Sequence, residues 1–176
     1  HPHSQVVGTP VVPGQVVQRI ELAERSYRES GQCLFCKTLE EECAGQKRMV
    51  AETAHFIAFI PFASLSPYHV WIFPKVHSAC FSTISAAAMI DLGDLLVKVL
   101  GKLYTALKNP SFNFVIRSLS PQEAELPYFH WYLAIVPRIS KAAGFELGTG
   151  MYINSSVPED SAENLRNAAP PPVPVV

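Results

Sequence analysis

Apolar positions along this chain change period several times. Over residues 15–30, Val16, Ile20, Ala23 and Tyr27 recur at intervals of four and three, which predicts a helix with one buried face; Gly31 is a natural left-handed stop. Residues 49–52, 55–60 and 68–73 are short β-rich runs, the second closed by Pro61 and the third followed by Pro74. Residues 82–107 carry the longest helical pattern. Its stripe of Ile90, Leu92, Leu95, Leu96, Val99, Leu100, Leu103 and Leu107 is wide enough to lie on a sheet, and Asn109-Pro110 ends it. Residues 112–117 and 128–136 read as two further strands. Residues 144–154 are Gly-rich and read as partly extended, and 158–167 as a short helix with Pro158 in its first turn. Residues 6–12 read as a strand end and a Gly/Pro loop. The acidic run Glu40-Glu41-Glu42, within residues 32–47, reads as a solvated face. The order helix, three strands, long helix, two strands, helix predicts an α+β fold: an antiparallel sheet with a long helix packed across it.

Composition narrows the class. Hydrophobic residues make up 48% and charged residues 16% of 176, enough for one domain with a real core and against a disordered chain. The formal net charge of −1 offers no basic surface, so nucleic acid is not an expected partner. No apolar run is long enough to span a membrane, and no signal-like start is visible, so a cytoplasmic protein is expected.

Candidate chemistry begins at His1-Pro2-His3-Ser4-Gln5. In an extended segment His1 and His3 share a face, and Pro2 restricts both its own φ and the residue before it. Neutral imidazoles so placed suit a nucleophile, a base or a metal ligand, and the Gln5 amide suits a phosphate oxygen. Alone, the tripeptide also fits a surface loop or a tag remnant.

A second constellation lies downstream. Cys33-Leu34-Phe35-Cys36 brings two sulfurs to one tetrahedral metal, and His77 and His130, each at a strand end or within a strand, complete a Cys2His2 zinc set. Singly, His77 fits a surface loop and His130 a satisfied core histidine. Cys43 and Cys80 lack such partners and read as core or idle thiols; His55 and His69 read as structural.

Together these residues resemble the galactose-1-phosphate uridylyltransferase family, a branch of the histidine triad superfamily. The resemblance rests on His1-Pro2-His3-Ser4-Gln5, Cys33-x-x-Cys36, Pro74-Lys75-Val76-His77, the strand 129–138 and Gly144-Phe145-Glu146-Leu147-Gly148-Thr149-Gly150. It implies that residues 1–13 end a first histidine-triad-like repeat and carry its active-site motif. Residues 14–168 would then form a second repeat with the zinc site, and 169–176, Pro-rich in composition, read as a disordered tail or linker. The chain reads as the back part of a longer protein.

The resemblance also implies roles. His3 matches the nucleophile that takes a nucleoside monophosphate from a nucleoside diphosphate sugar and passes it to hexose 1-phosphate. Gln5 matches the residue on the reacting phosphate. His1 matches a zinc ligand of the first repeat whose partners lie upstream. Phe145 and Glu146 match the segment that reaches the hexose from the partner subunit of a homodimer. Laying one repeat on the other puts His130 where His1 falls and Tyr132 where His3 falls, so the second repeat keeps a ligand and lacks a nucleophile. Ser4, the strand around His130 and the Gly-rich run also resemble ADP-glucose phosphorylase, which hands the adenylyl group to inorganic phosphate. A zinc-stapled module without activity is the reading from outside the enzymes.

Overall fold

The computed structural model describes His3, Gln5 and residues 10–141 and 143–171. Five strands, β1 (Met49–Glu52), β2 (Phe56–Phe59), β3 (Val70–Pro74), β4 (Phe112–Arg117) and β5 (Tyr132–Pro137), form one antiparallel sheet in the order β1-β2-β3-β5-β4. Among the described residues five α-helices accompany it: α1 (Gly14–Ser30), α2 (Leu34–Gly45), α3 (Ala86–Leu107), α4 (Gly144–Thr149) and α5 (Pro158–Asn167). The expected α+β layout is present.

Strand register sorts the side chains into two layers. Phe56, Ala58, Val70, Ile72, Leu133 and Ile135 point to one face and pack with Leu92, Leu95, Val99 and Leu103 of α3 and with Leu165 of α5. Ile57, Phe59, Phe73, Tyr132 and Ala134 point to the other, under Ala23 of α1 and Phe35 and Leu39 of α2. Ser85 caps α3 by accepting from the Ala88 N–H at 3.2 Å, and Gly31 ends α1 in the left-handed region at φ 70° with its N–H on the Tyr27 carbonyl.

Four local expectations change. Residues 34–45 are helical, and Glu42 is not solvated: it is 4% exposed, and both its oxygens accept from Arg48 Nε at 3.0 Å. Arg48 also pairs with Glu159, so one guanidinium joins α2, the start of β1 and α5. Residues 144–149, read as extended, form α4, because Glu146 accepts from the Ala143 N–H at 2.9 Å and caps the first turn. The last strand starts at Tyr132 rather than 128. The Pro-rich tail is docked at its start: Thr105 Oγ1 donates to the Ala169 carbonyl at 2.8 Å, and Pro170 lies against Gly101, where even a Cβ would come within 2.7 Å. Lys102 Nζ donates to the carbonyls of Leu165, Arg166 and Ala168 at 2.8–3.0 Å, closing the C-terminal end of α5.

Candidate metal and transfer site

The Cys-x-x-Cys pair falls where α2 begins. Cys33 has an extended backbone and precedes the helix, while Cys36 lies in its first turn. The side-chain hydrogen bond from Cys36, and the N–H groups of Cys36 and Phe35 at the helix start, hold the Cys33 thiol down at about 6 against its burial. Cys36 is pushed up by that same hydrogen bond to Cys33 and by burial. Cys33 Sγ also lies 3.5 Å from the Tyr128 carbonyl, and a divalent cation at the pair would draw both sulfurs toward thiolates.

Two imidazoles arrive from the opposite side. The segment after β3 is fixed by Lys75 N–H on the His55 carbonyl, Leu119 N–H on the Ala79 carbonyl and Trp131 N–H on the Ser78 carbonyl. This brings His77 to the cluster: its Nδ1 lies 3.1 Å from Cys36 Sγ, and its Nε2 lies 3.3 Å from the Leu126 carbonyl. With the Nε2 proton on that carbonyl, the Nδ1 lone pair faces the sulfurs, the usual support for an imidazole ligand. His130, just before β5, is fully buried against Phe73, with Nδ1 3.4 Å from Cys36 Sγ. Burial, with the nearby His77, holds it neutral, down to about 3; the Pro74 and Val76 carbonyls pull the other way, but Nε2 closes no hydrogen bond with either.

Three of the four predicted ligands are brought together, and the fourth, His130, approaches only Cys36. Ligand atoms of Cys33, Cys36 and His77 lie within 4.8 Å of one another, and His130 stands beside them with its ring 5.2 Å from that of His77. Two sulfurs and two ring nitrogens, buried on the sheet side and open at His77, fit a zinc-type cation by donor chemistry. The carbonyl of Leu126, which orients His77, was not foreseen: a backbone acceptor leaves no mark in a sequence.

The other predicted residues are placed less fully. His1 lies outside the described residues. His3 and Gln5 are exposed and belong to no helix or strand. Phe145 and Glu146 sit in the first turn of α4, Phe145 half-exposed and Glu146 engaged in its cap. Tyr132, which the overlay of repeats sets where His3 falls, is 2% exposed and stacks on Phe73 with ring centroids 4.8 Å apart. Position 132 is aromatic core.

No protein-family model matches the chain. The fold itself is that of the histidine triad class. A zinc-bound histidine triad family protein from Mycobacterium smegmatis superposes with a TM-score of 0.52 at 19% identity, over 77% of this chain and 91% of that one. Sequence similarity goes further. ADP-glucose phosphorylase from Arabidopsis thaliana is 39% identical over 171 residues, 96% of this chain and 47% of that protein. The crystal structure of an Arabidopsis thaliana ADP-glucose phosphorylase with bound ADP-glucose superposes with a TM-score of 0.80 at 37% identity, covering 92% of this chain and 51% of that one. Galactose-1-phosphate uridylyltransferase from Thermotoga maritima is 31% identical over 175 residues, 94% of this chain and 54% of that protein. The chain belongs among the relatives of galactose-1-phosphate uridylyltransferase and ADP-glucose phosphorylase, and it spans about half the length of the curated relatives it matches.

Proposed function

We propose that the protein to which this chain belongs is a nucleotidyltransferase that moves a nucleoside monophosphate from a nucleoside diphosphate sugar to hexose 1-phosphate through His3. Similarity to two enzymes of this chemistry over nearly the whole chain carries the reading. In the first step the neutral His3 nitrogen attacks the α-phosphorus, a P–N bond forms, the P–O bond to the sugar phosphate breaks, and sugar 1-phosphate leaves. In the second, an oxygen of the acceptor phosphate attacks the same phosphorus and the P–N bond breaks. Gln5 holds the phosphate oxygens on which charge grows. The two-step route suits a nucleophile that attacks without first losing a proton and whose adduct stays reactive.

The higher identity to ADP-glucose phosphorylase favours a second reading of the acceptor: inorganic phosphate, with an adenylyl group in transfer. Both readings share the His3 adduct.

Zinc held by Cys33, Cys36, His77 and His130 would staple α2 to the β3 and β5 ends. His1 would serve the other repeat's zinc with upstream partners. In this reading residues 1–13 close a first repeat, 14–168 form the second and 169–176 are a tail. A homodimer is supported by the exposed apolar run that follows Lys141: Phe145, Leu147, Met151, Tyr152 and Ile153 are all exposed, Leu147 at 79%. A partner subunit would cover them and receive Phe145 and Glu146 at its hexose. Among the described residues no helix is long and apolar enough to cross a membrane; a cytoplasmic place is part of the proposal.

The deciding experiment incubates the full-length protein with UDP-glucose or ADP-glucose, denatures it and maps the adduct by mass. A uridylyl or adenylyl group on His3, discharged by galactose 1-phosphate or phosphate, is expected. An adduct on another residue, or full turnover by His3→Ala, overturns the mechanism; no adduct and no turnover with either donor leaves the zinc-stapled module.

A further inference from the structure

We propose that Arg19 and Arg117 form a phosphate-binding pocket in the seam between α1 and β4, taking the phosphoryl group of a small phosphate monoester. None of its residues is used by the transfer reading, and the inference does not rest on it.

Arg117 ends β4 directly opposite Tyr132 of β5, so its side chain shares the sheet face that α1 and α2 cover. Arg19 reaches the same place from α1. Both line a cavity of about 150 Å³ whose walls are Val16, Ile20, Val115 and Phe129. Three arginines of the described residues are half-buried. Arg48 holds two carboxylates. Arg19 and Arg117, among the described residues, hold none and donate to no carbonyl; Arg117 is acted on by Tyr132 and Arg19, and it in turn repels a proton on the buried His69.

A guanidinium cannot shed its proton to relieve this. Two like charges, partly removed from water and turned to one cavity, are therefore held at a cost that an anion between them would cancel. Two planar forks offer paired donors to a tetrahedral dianion, a better match than to a single carboxylate. The cavity of about 150 Å³ leaves room beyond a phosphoryl group, so part of the ester's organic group can lie along the apolar wall.

The test is equilibrium dialysis of the full-length protein against three probes: orthophosphate, glucose 1-phosphate and AMP. Arg19→Gln and Arg117→Gln should each weaken one class of site about tenfold or more, with Arg117→Lys weakened less, since the charge stays but the fork is lost. The mass-mapped His3 adduct should be unchanged in all three variants, which separates this pocket from the transfer centre. Equal binding of all probes would mean that the dianion alone is read; tighter binding of an ester would mean that the apolar wall is read too. Unchanged binding in both Gln variants overturns the proposal, as does parallel loss of the His3 adduct. Arg19 lies on α1 and Arg117 in the sheet, so Arg19→Gln keeps the test open if Arg117→Gln fails to fold, a point checked by circular dichroism.

Discussion

His130 Nδ1 lies 3.4 Å from Cys36 Sγ across 94 positions of sequence. The contact ties the start of α2 to the end that precedes β5, and His77 Nδ1 joins it at 3.1 Å. A closed loop of this kind makes metal affinity part of folding free energy. The purified protein is expected to hold about one zinc at this cluster. Cys36→Ser should lose it, and chelation should lower stability by several kcal/mol. Metal analysis with a urea titration checks both; full zinc in Cys36→Ser would sink the assignment.

A pH effect belongs to His69. It is 2% exposed, its Nε2 accepts from Trp71 Nε1 at 3.1 Å, and burial, with Arg117 adding repulsion, holds it down to about 4 from 6.5. Between those values the unfolded chain binds more protons than the folded one, so stability rises with pH. It should be fully present above about 6.5 and lost as the pH falls toward 4, by on the order of 3 kcal/mol. His69→Gln keeps an acceptor for Trp71 and does not titrate. Unfolding of zinc-loaded protein followed across that window should show a flatter slope in the variant; identical slopes would contradict the assignment.

The periodic elements were legible because one force set them. Val16, Ile20, Ala23 and Tyr27 in α1, and Leu92, Leu95, Val99 and Leu103 in α3, bury what their spacing says they bury. Helix α2 was not legible, because its inward face runs Phe35, Leu39, Glu42, and the third residue is a carboxylate that only Arg48 and the fold can justify. Helix α4 was hidden by Gly144 and Gly148, whose weak helix preference is offset by the Glu146 cap. The Cys/His cluster was readable, since ligand type and strand placement survive in sequence. The Arg19 and Arg117 pocket was not: the two arginines come from separate elements, and no motif links them.

Lys102 provides a test of how α5 is held. Its ammonium serves three carbonyls at the helix end, and burial with the nearby Lys98 lowers its pKa. Lys102→Met keeps the stem and removes the donors. It is expected to cost about 1–3 kcal/mol and to speed hydrogen exchange in residues 162–168 ahead of the sheet. Uniform exchange across the domain would mean that α5 is held by packing alone.

Tyr132 decides how far the two repeats differ. The overlay sets it where His3 falls, yet its ring is stacked on Phe73 and tilted against Trp71 and Phe35. Among the described residues its hydroxyl makes no hydrogen bond, and burial raises its pKa. Tyr132→Phe should therefore change stability by less than about 1 kcal/mol, since the packed ring stays. Tyr132→His restores the residue type of the nucleophile but replaces a large core ring by a smaller polar one, at a cost of about 2–4 kcal/mol. It should gain no second adduct, because a reacting nitrogen needs access to phosphorus and this position has none. Counting nucleotidyl groups per chain after donor treatment checks the point. One per chain in the wild type and in Tyr132→His is expected, whereas two in the variant would mean that the second repeat lost its nucleophile without losing its site.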